Sequence, residues 1–137
     1  STSAGAAVGD DHGHDVRRRV LLDCDPGVDD VFALAWICAR REALKLVALT
    51  AVPGNTPVSK TLGNAVGALE MLACAEGVKL GMGQERERPS DGFMGGDGLL
   101  GLAGSLPTVS PVQPSTAVDD AVDVILQAIQ DEGPELA

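Results

Sequence analysis

The stretch Val20-Leu21-Leu22-Asp23-Cys24-Asp25-Pro26-Gly27-Val28-Asp29-Asp30 constrains this chain more than any other. Three apolar residues run into Asp23 and Asp25, Pro26-Gly27 turns the backbone, and Asp29-Asp30 open an apolar segment, Val31 to Ala39, of helical length. The order is strand, sharp turn, helix N-terminus. Four carboxylates within eight residues repel one another in a folded chain unless a cation or partner offsets the charge. In an open α/β sheet, ligands sit in the crevice beyond the carboxyl ends of the strands. Asp25 falls at such an end, and Asp29 and Asp30 fall on the first helical turn, near the positive end of its dipole. Oxygen donors, with no His and only Cys24 nearby, favour Ca²⁺ or Mg²⁺ over zinc. Acids ahead of a helix also serve as N-caps, but this many behind an apolar strand point to a metal site.

The remainder of the chain repeats the strand and helix alternation. Arg40-Arg41 close the first helix with charge that suits its dipole. Leu44 to Val52 reads as a buried parallel strand. Pro53-Gly54-Asn55-Thr56-Pro57 then supplies a crevice loop, with Thr56 as N-cap and Pro57 at the first helical position. The spacing of Leu62, Val66, Leu69 and Leu72 predicts a helix over Val58 to Ala75 with those residues in the core. Val78 to Gly81 is a short third strand, and Met82 to Pro114 is a long loop dense in Gly and Pro. Ser115 or Thr116 is expected to cap a last helix, Ala117 to Gln130, with Val118, Ala121, Val122, Ile125 and Ile129 on its apolar face and Gly133-Pro134 ending it. The fold class is therefore α/β, an open and mainly parallel sheet with flanking helices.

With 137 residues, 45% of them apolar, the chain suits one domain. Residues 1–16 read as a disordered tail and 17–137 as the domain. His12 and His14 lie beside acids in that tail, and Arg17-Arg18-Arg19 precede the first strand; both groups read as solvated. A net charge of −10 argues against nucleic acid or anionic membrane as partner. Cys24, Cys38 and Cys74, odd in number and widely spaced, form no disulfide framework and no zinc pattern, which suggests a reducing compartment and hence a cytoplasmic protein. Gly96-x-Gly98-x-x-Gly101 satisfies a dinucleotide fingerprint only formally, because no strand leads into it.

An EF-hand counted from Asp23 would need Gly at position six and Glu at position twelve, where this chain has Val28 and Leu34. The haloacid-dehalogenase-like phosphatases, which are Mg²⁺-dependent, share Asp-x-Asp at a first strand but do not call for Gly27 or the Asp29-Asp30 pair. Asp23-Cys24-Asp25-Pro26-Gly27-Val28-Asp29-Asp30 instead resembles the Asp-x-Asp-x-Gly-x-Asp-Asp fingerprint of the inosine-uridine preferring nucleoside hydrolases. The Gly54-Asn55 pair after the second strand, and Gly95-Gly96-Asp97-Gly98-Leu99 in the long loop, resemble two further family features. Met94 stands where relatives often carry His.

The resemblance implies Ca²⁺ held by Asp25 and Asp30, a water whose proton Asp29 takes, and Asn55 together with Asp29 facing the ribonucleoside. Asp23 receives no role. It further implies that these residues are the N-terminal part of a nucleoside hydrolase-like domain, with two ligand side chains where calcium prefers six to eight oxygens. Weak or absent turnover by this piece alone is the resulting expectation, as is a homo-oligomer formed through an open sheet edge. Two other functions compete: a non-catalytic Ca²⁺-binding or interaction module from a truncated relative, and a dehalogenase-like phosphatase.

Overall fold

A computed structural model describes residues 14–85, 92–106 and 118–137. The apolar run after the arginines forms β1 (Arg18–Cys24), and the segment opened by Val28 forms α1 (Val28–Ala39). Then come β2 (Leu44–Ala51), α2 (Val58–Met71), β3 (Lys79–Met82), β4 (Val118–Asp120) and α3 (Ala121–Glu132). The four strands pair in parallel in the order β1-β2-β3-β4. Opposite β1's other edge, Leu136 bridges Arg19 in parallel, and Ala137 exchanges backbone hydrogen bonds with Arg19 and Leu21 at 2.8 and 2.9 Å. The chain thus steps outward from β1 three times and then returns to its far side. The carboxyl end of β1 is therefore a topological switch point, where open α/β sheets form their crevices.

The core lies between the sheet and the helices. Leu34, Ile37 and Cys38 of α1 and Ala65, Ala68 and Leu69 of α2 pack with Cys24, Leu46 and Leu49. Ala51 packs with Leu62 and Val66. Leu49 and Leu69 are completely enclosed, each contributing about 1.5–3 kcal/mol of burial free energy. Side chains alternate across a strand, so Leu49 and Ala51 meet α1 and α2 while Thr50 turns to the face that carries α3. The core positions read from the spacing of α2 are buried, apart from the half-buried Leu72.

Several expectations need correction. The last helix starts at Ala121 rather than Ala117, because Val118–Asp120 pairs with β3 as a fourth strand, which too short a run conceals in the sequence. Its cap is Asp120, whose carboxylate accepts from the N–H groups of Val122 and Asp123 at 2.9 and 3.4 Å; Ser115 and Thr116 lie outside the described residues. The second helix ends at Met71 instead of Ala75, as Ala73 takes a positive φ of 51° and turns the chain. Thr56 does not cap α2; Glu85 Oε2 does, accepting from Val58 N–H at 3.0 Å. The basic run is not simply solvated, since Arg17 pairs with Asp15 at 2.8 Å and Arg19 with Glu132 at 3.3 Å.

The cysteines need correction as well. Cys38, near the end of α1, and Cys74, just past the end of α2, form a disulfide, with Cα atoms 6.1 Å apart. Packing of the two helix ends brings together residues separated by 36 positions, a proximity that no spacing rule contains. The inference of a reducing compartment rested on unpaired thiols and loses that ground. Among the described residues no helix is long and apolar enough to cross a membrane.

Candidate active site

The acidic turn leaves β1 at Cys24 and enters α1 at Val28, so its carboxylates occupy the switch-point crevice. Asp25 is gripped from both ends by Asn55. The Asn55 N–H donates to Asp25 Oδ2 at 2.9 Å, and the Asn55 carboxamide donates through Nδ2 to the Asp25 carbonyl at 2.8 Å. Gly54 makes that grip possible: a Cβ there would overlap the Asp25 carboxylate. Asp30 folds back along the turn and accepts from the Asp25 N–H through Oδ2 at 3.2 Å. Asp29 is exposed on the first turn of α1, and its Oδ1 shares the space over Gly27 with Asn55 Nδ2.

Asp23 takes a different direction. Its carboxylate accepts from the buried Thr50 hydroxyl at 2.5 Å. The residue is held to β2 on the α3 face, one position before the side chains turn into the crevice.

The electrostatics record the crowding of the acids. Burial, then the Asp29 and Asp25 carboxylates, raise Asp30 above the ordinary carboxyl range. The buried Cys24 thiol is pushed up to about 12 by burial first and by Asp30, Asp23 and Asp25 after it. A carboxyl raised in the folded state carries no penalty below the unfolded carboxyl range. As pH climbs through that range and past the folded value, the folded state loses stability relative to the unfolded one. Asp30→Asn removes this loss and keeps an oxygen to accept from Asp25 N–H. The variant is expected to melt above the parent at neutral pH in chelator, with the gap vanishing at low pH; a lower melting point at neutral pH would show that the carboxylate stabilises the turn.

The donor set suits a hard divalent cation in kind, being all oxygen and mutually repulsive, but not in number. Among the described residues, no three His, Cys, Asp or Glu side chains converge as a ready metal cage. Asp25 and Asp30 come together through one backbone N–H, whereas Asp29 stands apart over Gly27. Asn55 is placed against both parts. The glycine-rich loop also reaches this end of the sheet, since a Cβ on Gly98 would lie 3.6 Å from Asn55 Cβ. Inside that loop, Asp97 accepts from the N–H groups of Leu99, Gly101 and Ala103 at 2.9, 3.0 and 3.1 Å, bonds that hold its carboxyl below the usual range. Among the described residues no strand leads directly into the loop's Gly96-x-Gly98-x-x-Gly101 run, which is followed only by a three-residue 3-10 turn, Ala103–Ser105, and not by an α-helix. Sequence reasoning passed over Asn64, although a carboxamide between Leu62 and Ala65 on an otherwise apolar helix face was a usable signal.

An open parallel sheet with an acidic, Asn-buttressed turn at its switch point defines an α/β protein with its crevice beyond the end of β1. The chain belongs to the inosine-uridine preferring nucleoside hydrolase family, whose pattern it matches over residues 20–137. It is 31% identical over 116 residues to a pyrimidine-specific ribonucleoside hydrolase, RihB, of Escherichia coli strain HS, covering 82% of this chain and 35% of the relative. The same enzyme from strain K12 is 32% identical over the same shares. Among solved structures, the plant nucleoside hydrolase PpNRh1 superposes with a TM-score of 0.70 at 28% identity, over 87% of this chain and 37% of that one. A purine-preferring ribonucleoside hydrolase from Gardnerella vaginalis shares the fold, with a TM-score of 0.63 at 22% identity over 86% and 38%. The chain spans about 35% of the length of the curated relatives it matches. Nucleoside hydrolases use a metal ion.

Proposed function

We propose that this chain carries the metal-binding and proton-accepting end of a ribonucleoside N-ribohydrolase. The observation that carries the reading is the double hydrogen bond by which Asn55 fixes Asp25 at the switch point, beside Asp29 and Asp30. That geometry and the family membership support the same chemistry.

In this reading Asp25 and Asp30 would hold Ca²⁺, a hard cation that suits their oxygen donors. When bound, the cation supplies Lewis acidity and an anchor for vicinal hydroxyls. Asp29, exposed on the first turn of α1, accepts the proton of the attacking water. Asn55 orients the acidic turn and offers its carboxamide to the sugar. As water oxygen bonds to the anomeric carbon, the C–N bond breaks and its electron pair leaves with the base, through the oxocarbenium-like transition state of glycoside hydrolysis. Met94 carries no proton to give, so the leaving nitrogen takes its proton from solvent water and Asp29 returns the one it accepted to solvent. Ribose and free base are the products.

The test is release of reducing sugar from inosine and uridine, measured with Ca²⁺ and again after chelation. Turnover that chelation abolishes and Ca²⁺ restores is the expected result, at a low rate because the chain spans about 35% of the length of its relatives. Calorimetric Ca²⁺ binding without turnover would favour a non-catalytic cation-binding module instead. Absence of both Ca²⁺ binding and turnover would sink the proposal.

A further inference from the structure

Thr56, just ahead of α2, and Lys60 and Asn64, four residues apart and so on one face of that helix, are three donors that all serve the glycine-rich loop. Thr56 Oγ1 and Lys60 Nζ donate to the Gly96 carbonyl at 2.9 and 3.2 Å, and Asn64 Nδ2 donates to the Asp97 carbonyl at 2.8 Å. The same Asn64 nitrogen also donates, at 3.3 Å, to the carbonyl of Pro26 in the acidic turn. Asn64 is 5% exposed and Thr56 2%. Gly98, at φ +77°, lets the loop settle this closely: a Cβ there would stand 3.1 Å from Thr56 Cγ2 and 3.4 Å from Asn64 Nδ2.

We infer that Asn64 is a positioning residue, whose one carboxamide nitrogen ties the turn between Asp25 and Asp29 to the loop that abuts Asn55, and so sets the width of the crevice. The inference rests on the hydrolase reading for what the crevice does, though not for the tie itself. A primary carboxamide has two N–H groups, one for each carbonyl. A buried acceptor left without its donor is disfavoured, so losing the carboxamide weakens both ends of the tie. Leu at this position matches the size and removes both donors. Asp presents an anion to two carbonyl oxygens. The Thr56 hydroxyl donates to the loop alone, at the Gly96 carbonyl, so T56V removes a loop contact without removing a donor to the acidic turn.

The experiment compares the parent chain with N64L, N64D and T56V in steady-state nucleoside hydrolysis and in amide hydrogen exchange. In N64L, kcat is expected to fall tenfold or more while KM moves less than threefold, and T56V is expected to change kcat less than threefold. Exchange at Asn55, Leu99 and Gly101 should accelerate at least tenfold with Leu49 and Thr50 in β2 unchanged, which separates positioning from general loosening. N64D serves as the second variant should N64L fold poorly, and should show the same pattern. An active parent with an equally active N64L, or exchange that rises uniformly through β2, would overturn the inference. A parent without turnover would overturn the hydrolase reading instead, leaving the local exchange pattern to decide whether the tie exists.

Discussion

Asp29→Asn is expected to lower nucleoside hydrolysis by about 10²–10⁴-fold, the usual contribution of a positioned proton acceptor. This corresponds to about 3–5 kcal/mol of transition-state stabilisation. The carboxamide keeps the size of the side chain on the first turn of α1 but cannot accept a water proton. Little else should change. Asp29 is exposed and lies outside the Asn55–Asp25–Asp30 hydrogen bonds. Losing its interaction with the helix dipole costs about 0.3–1 kcal/mol, and relief of its repulsion on Asp30 acts the other way. A fall in kcat with an unchanged melting point and intact Ca²⁺ binding is therefore the specific outcome. Reducing-sugar release from the variant within threefold of the parent would remove Asp29 from the mechanism.

Breaking the Cys38–Cys74 bond is expected to be the largest single blow to stability. Closing a loop over 36 residues restricts the unfolded chain by about 4 kcal/mol in the chain-entropy relation, within the common range of about 2–4 kcal/mol. The urea midpoint of C38A/C74A, or of the parent in reductant, should fall accordingly. Thiol titration in denaturant provides an independent check. The chain as purified without reductant should show one reactive thiol, Cys24, and after reduction three, its full cysteine count. In the native state Cys24 should stay silent, since burial and three neighbouring carboxylates hold its thiol protonated. Three thiols without reductant would disprove the bond.

Much of the candidate site was legible because its determinants are local. Asp25, Asn55 and Asp30 occur in short turn motifs directly after apolar runs, and strand ends in parallel sheets converge on one edge. The hydrogen bonds that join Asn55 to Asp25 span 30 residues, yet both partners carried a visible turn signature. Asn64 stood out only as a polar residue on an apolar helix face, and its partners, Pro26 and Asp97, lie 38 and 33 residues away. The same holds for Glu85, whose role as the cap of α2 depends on a loop folding back 27 residues. β4 escaped notice for another reason: three residues are too few to show a period, and only β3 beside them makes them a strand.

What the residue order determined alone is the alternation of strand and helix and the placing of a carboxylate cluster at the end of β1, since backbone preference and hydrophobic period act over a few neighbouring residues. The tertiary structure decided which carboxylates face each other, that Asp23 turns away to Thr50, that Cys38 meets Cys74, and that α2 holds a loop against the acidic turn. Those outcomes depend on distances across the fold, and no local pattern encodes a distance between segments until packing has brought them together.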